Sequence, residues 1–372
     1  MAYVKHYCML KIATFKTKGI NLIICMASFL TISIVGCKKD DKSTIKTTPP
    51  TVTGPYLYVG GGTNNKGIYW KTSLSQKVVK SIPDTVANAG YINSVVTSGS
   101  DVYLTGEAGG YWKNNAFIPV TNSSNIVHLT LSGSDVYTAG FDNMVNLAYW
   151  DNNTETNLQN TVNRNSQFPY QGESDISLSG IALSGTSVLV TGILSFENEP
   201  GSPNIPAEGG YGLLWTNGNL QLFGLGYQIS ATDQYTTVGV AVSGNDIYVA
   251  GRMPAANYPG GYWKNGVFNT INNGAFISSS ITTNGTDVYI AGFTNVRPLS
   301  PLTPQQAAYW KNGTFVSIPG GSTATAIAVS GSDVYVLGID NNNNNVVWKN
   351  GAVFETLGSA LTQLATCIAI GN

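Results

Sequence analysis

The chain has 372 residues with 42 glycines, 7 tryptophans and 20 tyrosines, yet only 10% of its residues are charged and the formal net charge is −1. That length admits two ordinary domains or one large all-β domain. Without a basic excess there is no footprint for nucleic acid, and the plentiful Val, Ile, Leu and aromatic residues exclude a disordered chain.

The first segment reads as a targeting sequence. Lys5, Lys11, Lys16 and Lys18 precede the apolar run INLIICMASFLTISIVG, from Ile20 to Gly36. A basic region before a short apolar one is the pattern of a secretory signal over residues 1–36, and the run is short for a transmembrane helix. The basic region is long, so Met9 is an alternative start to Met1. SIVGC at 33–37 resembles a bacterial lipobox, with small Gly36 just before Cys37. The resemblance implies cleavage before Cys37, acylation of its sulfur and attachment to a lipid membrane. The following KKDDK resembles the charged export tag of surface lipoproteins of the Bacteroidetes. It implies an outer-membrane protein facing the cell exterior, with the leaflet left open.

On this reading Cys8 and Cys25 leave with the signal and Cys37 carries lipid. Cys367 alone remains, so the mature domain has no disulfide framework. Residues 37–54 hold the lipidated cysteine and a polar, Pro/Thr-rich tether. Removing the four signal lysines from 19 cations against 20 acids leaves a net charge of about −5.

From residue 55 the chain repeats one phrase. A glycine is followed seven residues later by another: Gly54/Gly61, Gly99/Gly106, Gly133/Gly140, Gly185/Gly192, Gly244/Gly251, Gly285/Gly292 and Gly331/Gly338. Tyr58, Tyr103, Tyr137, Tyr248, Tyr289 and Tyr335 stand four after the first glycine, with Leu189 in the fourth repeat. Each repeat then has one tryptophan: Trp70, Trp112, Trp150, Trp215, Trp263, Trp310 and Trp348, which are all the tryptophans of the chain. Every repeat holds four short strand-like runs; in the sixth they are SSSITT, DVYIAGF, AAYWKNG and TFVSI. The third run turns into the fourth through Asn-Gly at 217–218, 265–266, 312–313 and 350–351, the pair suited to a type I′ hairpin. Asn-Asn takes that place at 114–115 and 152–153.

Four strands per repeat at this period predict an all-β fold, a seven-bladed β-propeller over residues 55–372. The first repeat lacks its first strand, and the chain ends on ATCIAIGN, a first strand with nothing after it. Pairing residues 365–370 with the first blade closes the ring and removes both edges. Five residues before the first glycine stand Ser94, His128, Gly180, Gly239, Ser280 and Ala326. These are small except for His128, as expected where blades crowd towards an axis. The tryptophans are expected to pack between blades. Asp101, Asp135, Asp246, Asp287 and Asp333 are expected to cap their own turns.

In such a meander the turns between strands one and two and between three and four share one face, and here they hardly vary. On the other face, the stretch from the second glycine to the tryptophan runs 8, 5, 9, 22, 11, 17 and 9 residues. A fixed scaffold under variable loops is how binding surfaces are built. Three segments dominate it: 159–175, 193–209 and 293–306. Between Arg164 and Arg252 lie 87 residues without Lys or Arg, against Glu173, Asp175, Glu197, Glu199, Glu208, Asp233 and Asp246, so one side is acidic. The candidate ligand-binding residues are Arg164, Phe168, Tyr170, Glu173, Asp175, Phe196, Glu197, Glu199, Glu208, Arg252 and Arg297. Glu173, Glu197, Glu199 and Glu208 are also candidates to hold calcium or a cationic ligand.

Other chemistries are poorly provided for. Nucleophilic Ser or Cys catalysis has no base other than His128, and zinc lacks His and Cys ligands. FDNM and IDNNNNN offer oxygens without calcium-loop spacing, and Cys367 is expected to be buried and inert. Three arginines with Tyr and Glu resemble a sialidase arrangement, but the Asp-box of that family is absent. AYWKNGTFVSIPGGSTATAIAVSGSDVYVLG (308–338) resembles the extracellular HAF-type repeat, and the Gly60-Gly61 pair of the first blade resembles kelch repeats; both imply the fold and neither a single function. The expectation is a monomeric, membrane-anchored module that binds a glycan or a protein through its variable face. The alternative is a glycosidase-like enzyme using the loop carboxylates.

Overall fold

The computed structural model describes residues 54–64, 66–75, 84–163, 174–197, 208–223, 236–252, 260–271, 276–294 and 305–372. The signal, Cys37 and the tether up to residue 53 lie outside these. The described residues all belong to one compact unit, residues 51–372.

Within it, seven four-stranded antiparallel sheets form the blades of a propeller. Blade one is β1 (Tyr56–Thr63), β2 (Lys66–Ser73) and β3 (Asp84–Val86), completed by a strand from the far end of the chain. Blade two is β4 (Ser94–Ser98), β5 (Asp101–Thr105), β6 (Gly110–Lys113) and β7 (Ala116–Pro119). Blade three is β8 (Ser123–Ser132), β9 (Asp135–Asp142), β10 (Leu147–Asp151) and β11 (Thr154–Asn157), followed by one helical turn, α1 (Gln159–Asn163). Blade four is β12 (Ser174–Ser184), β13 (Ser187–Glu197), β14 (Glu208–Thr216) and β15 (Asn219–Phe223). Blade five is β16 (Thr236–Ser243), β17 (Asp246–Arg252), β18 (Gly260–Lys264) and β19 (Val267–Thr270). Blade six is β20 (Phe276–Asn284), β21 (Asp287–Thr294), β22 (Gln306–Lys311) and β23 (Thr314–Ser317). Blade seven is β24 (Gly321–Ser330), β25 (Asp333–Asp340), β26 (Asn344–Lys349) and β27 (Ala352–Ser359).

The last strand, β28 (Leu364–Gly371), pairs antiparallel with β1, Ile370 opposite Leu57 and Ile368 opposite Val59. It therefore supplies the inner strand of blade one and closes the ring. The seam is tied further: Thr97 Oγ1 donates to Ile370 O at 2.8 Å, Thr366 Oγ1 to Ile92 O at 2.5 Å and Thr63 Oγ1 to Thr362 O at 2.7 Å. The inner strands β28, β4, β8, β12, β16, β20 and β24 each touch the next around the axis.

The seven tryptophans are all buried, at most 7% exposed. Each packs against the preceding blade. Trp348 lies with Tyr289, Ala307 and Tyr309 of blade six, Trp70 with Leu337 and Val347 of blade seven, and Trp112 with Tyr58 and Val86 of blade one. Burying one such ring contributes more than any other side chain of the repeat, so each blade is fixed to its neighbour once per turn of the phrase.

The two glycines of the phrase answer different demands. The first takes a positive φ in the inner hairpin turn, 57–60° at Gly99, Gly133, Gly185, Gly244, Gly285 and Gly331. In blades three to seven the second lies opposite a β-bulge in the inner strand, where register slips between Ile126 and His128, Leu178 and Gly180, Thr237 and Gly239, Ser278 and Ser280, and Ala324 and Ala326. A Cβ at Gly140 would stand 2.0 Å from Asn125 O, at Gly292 2.0 Å from Ile277 O and at Gly338 2.0 Å from Thr323 O. A bulge bends its strand and leaves one residue unpaired, and here it turns a carbonyl into the space that any other side chain would fill. Sequence spacing marked the second glycine but not the bulge that requires it.

Candidate functional site

On the face of the short turns, four blades carry the same knot. Asp101, Asp246, Asp287 and Asp333 form ion pairs with Lys113, Lys264, Lys311 and Lys349 at 2.7, 2.7, 2.9 and 2.7 Å. Asn114, Asn265, Asn312 and Asn350 donate to the same carboxylates at 2.6–2.9 Å. The asparagine oxygens accept from the backbone N–H of Val102, Ile247, Val288 and Val334. Each lysine also lies 5.0–5.5 Å above the repeat tyrosine, Tyr103, Tyr248, Tyr289 or Tyr335. The aspartates thus reach across to the outer turn of their blade and do not cap their own turns, because the Trp-Lys-Asn-Gly hairpin brings a cation and an amide directly alongside. The lysine and amide bonds hold these carboxyls below the usual carboxylate range. In blade three the lysine position is Asp151, and in blade four Ser187 and Thr216 replace the charged pair.

The tight loops of the other face are held by their own side chains. Asp142 Oδ1 accepts from the backbone of Met144 and Asn146, both at 2.8 Å, and Oδ2 from the Asn146 amide at 2.9 Å. Asp340 repeats this with Asn342 and Asn344. The oxygens of FDNM and IDNNNNN are therefore spent on the turn. Burial pushes both carboxyls up, but these bonds outweigh it and hold them low.

Blade four departs from its neighbours. β13 runs five residues past Gly192, whereas β21 and β25 end two past Gly292 and Gly338. β14 starts seven before Trp215, whereas β22 and β26 start four before Trp310 and Trp348. Three further residues on each strand extend the sheet by ~10 Å on the variable face. Register places Glu197 opposite Glu208, Phe196 opposite Gly209 and Ser174, and Asp175 opposite Ser195. Asp175 is exposed. The segment 193–209 is thus strand at both ends, and residues 198–207 lie outside the described residues.

The segment 159–175 also begins as structure. Asn157 Oδ1 accepts from Asn160 N at 3.0 Å and starts α1, whose Val162 is buried beside Leu158, Leu194 and Leu213. Thr161 Oγ1 accepts from Trp215 Nε1 at 2.8 Å. Nothing in QNTVN marks a helical turn as short as this one. Arg252 ends β17 on the same face and is partly buried. Arg164, Phe168, Tyr170, Glu173, Glu199 and Arg297 lie outside the described residues, as do the side chains of Phe196, Glu197 and Glu208. Among the described residues no three His, Cys, Asp or Glu side chains converge as a metal site would require.

At the axis the inner strands surround a cavity of about 290 Å³, lined among others by Asn93, Ser94, His128, Gly180, Gly239, Ser280, Ala326 and Thr366. His128 Nε2 lies 3.3 Å from Leu178 O. A carbonyl only accepts, so Nε2 carries the proton. Burial pushes the His128 pKa down, the Leu178 contact opposing it, and the ring is neutral. Cys367 packs against the buried cluster of Tyr58, Val86 and Ile92 with its Sγ 3.9 Å from Ile92 O, and burial pushes its thiol up to about 12, which leaves it without thiolate character at neutral pH.

No protein-family model matches the chain, and no curated protein matches it. Among solved structures it is similar to the β-propeller domain of the Trilobed protease from Pyrococcus furiosus, with 11% identity, 83% of this chain and 96% of that one covered, and a TM-score of 0.50. That domain is described as having an open velcro topology; here β28 closes the ring. The computationally designed Ika8 protein is 14% identical over 85% of this chain and 88% of that one, with a TM-score of 0.44. A Synechocystis ACO mutant is 12% identical over 87% and 93%, with a TM-score of 0.46. At these identities the likeness to the protease domain shows the propeller fold and nothing of function.

Proposed function

We propose that the protein is a membrane-anchored extracytoplasmic binding module whose ligand, a glycan or another protein, is taken at the variable face around blade four. The observation that carries this reading is the projecting β13–β14 hairpin. It is the place where the described residues extend the repeated scaffold beyond its neighbours, and it brings Phe196, Glu197 and Glu208 to the tip of one sheet. The opposite face has its charges bonded to one another in four blades, which leaves little there to offer a partner. Rigid strands aim side chains better than loops do. The lipobox-like SIVGC supports acylation of Cys37 and placement at the bacterial outer membrane, outward-facing.

A second reading concerns the ligand's charge. Register pairs Glu197 of β13 with Glu208 of β14, and like charges at directly paired positions destabilise a sheet. With Glu173, Asp175 and Glu199 nearby in sequence and no Lys or Arg from 165 to 251, a calcium ion or a cationic group would offset that repulsion.

The test is binding of the purified protein to a glycan array and to surface proteins of neighbouring cells. It is compared with a variant whose residues 195–210 are replaced by Asn-Gly, which joins the paired Leu194 and Tyr211 by a two-residue turn. The expected result is binding by the parent and loss in the variant. Equal binding by both overturns the assignment to blade four, and hydrolysis of a bound glycan would replace the binding module with the glycosidase-like alternative, for which carboxylates ~5–10 Å apart are required. A Cys37→Ser protein should leave the membrane fraction, since two acyl-type anchors give stable attachment where one gives marginal attachment.

A further inference from the structure

The axial cavity is independent of that face and has its own chemistry. Its wall is uneven around the ring. Blades two and three contribute Asn93, Ser94 and His128, and blade six, on the opposite side of a seven-membered ring, contributes Ser280. Blades four, five and seven contribute Gly180, Gly239 and Ala326, which carry no polar side chain. The hydroxyls of Ser179, Ser279, Thr325 and Thr366 are engaged. Ser179 bonds Thr191 and Thr237, Ser279 bonds Ala324 O, Thr325 bonds Leu337 O, and Thr366 bonds Ile92 O. The side chains of Asn93, Ser94 and Ser280 make no hydrogen bond among the described residues, and the only one of His128 is that to Leu178. None of these free polar atoms is sealed from the cavity.

The wall therefore presents one amide, two hydroxyls and one imidazole nitrogen without protein partners, in two groups facing each other. Because Nε2 of the neutral His128 carries its proton, Nδ1 is an acceptor. Between the polar groups, the glycines and the alanine leave smooth surfaces for close approach. Among the described residues no Asp, Glu, Lys or Arg lines the space, so a charged ligand would lose its hydration without compensation. The volume is near the lower end of small-molecule sites, which begin at about 300 Å³.

We propose that the axial cavity binds a small, uncharged, polyhydroxylated molecule of monosaccharide size, with its hydroxyls bonded to His128 Nδ1, Asn93 and Ser94 on one side and to Ser280 on the other. The ring's flat faces lie against Gly180, Gly239 and Ala326.

The experiment is calorimetric titration of the purified full-length protein with D-glucose, D-galactose, D-mannose, L-fucose and N-acetyl-D-glucosamine, and with D-glucuronate as the charged counterpart. One or more neutral sugars should bind with one site per chain, and glucuronate at least about tenfold more weakly. Ser280→Leu, which fills the cavity, should abolish binding. Ser94→Ala and Ser280→Ala, which add no bulk, should each weaken it by about tenfold, the value of a lost hydrogen bond or two. Binding should also fall as pH drops and His128 gains a proton at Nδ1. Replacing residues 195–210 should leave it unchanged, which separates this site from the outer face. Heat from none of the neutral sugars, equal binding of glucuronate, or undiminished binding in both alanine variants would overturn the proposal and leave a channel filled by water.

Discussion

On the short-turn face, four blades bind Asp, Lys, Asn and Tyr into the same knot, and the inner-turn glycines of blades two to seven hold a positive φ that would strain a side chain. On the opposite face the span from glycine to tryptophan ranges from 5 to 22 residues, and blade four builds an extension that blades six and seven lack. Residues repeat where they are bonded to other repeating residues. They vary where the next contact lies outside the sheet.

The largest expected effect comes from removing what both faces share. Deleting residues 365–372 takes away most of β28, opens the hub and exposes the inner edge of β1. Urea denaturation should show a loss above about 4 kcal/mol, or no cooperative transition at all; an unchanged midpoint would contradict closure by β28. Next comes the link between blades: Trp348→Ala should cost about 3–5 kcal/mol, through lost transfer energy and the cavity left beside Tyr289 and Tyr309.

The glycine pair sharpens the contrast within a single repeat. Gly140→Ala sets a methyl group 2.0 Å from a carbonyl held by the bulge, and should cost about 3 kcal/mol as overpacking. Gly133→Ala meets no atom within 4 Å but keeps a φ of +60°, and should cost about 1–2 kcal/mol. Equal melting temperatures for the two would sink the account of the second glycine.

Smaller effects should appear with pH. The four aspartates of the knot have lowered pKa values, so their contribution is present above the unfolded value near 3.8 and is lost as pH falls through the folded one. Their lysines are raised, so that contribution is present below about 10.5 and is lost as pH rises through the folded value. His128 is lowered, so the unfolded chain binds the extra proton, and stability should decline as pH falls below about 6.5. A His128→Gln protein should lose that decline while keeping the acid limb of the aspartates. The smallest effect is expected at the variable face: replacing residues 195–210 by Asn-Gly should shift stability by no more than about 0.5 kcal/mol, even though it removes the proposed binding surface.

Much of this was legible in the amino-acid order because the information is local and written seven times. Asn312-Gly313 and Asn350-Gly351 have positive φ at both residues, a demand that few residue pairs meet. The spare strand at 364–371 and the missing one at the start matched because a ring must end where it begins. The tryptophans stood out because packing one blade on the next needs one large ring per repeat. By contrast, the Asp–Lys pairing joins residues of the first and third strand runs through a hairpin, so Asp beside Ser-Gly looked like a turn cap. The bulges left no mark of their own; only the glycine facing each one did. QNTVN became α1 because Leu158 and Val162 found a buried site between blades, not because its residues favour a helix.

The sequence by itself determined the number of blades, the hairpin turns and the closing strand, since each follows from spacing and from backbone geometry within one repeat. The tertiary structure decided which carboxylates are bonded and which strand positions are paired at the tip of blade four. It also decided which polar groups are left without partners around the axis. Those depend on seven inner strands converging on one line, where Asn93, Ser94, His128 and Ser280, far apart in the chain, come to line a single cavity. Convergence of that kind is a property of the closed ring, and no one repeat contains it.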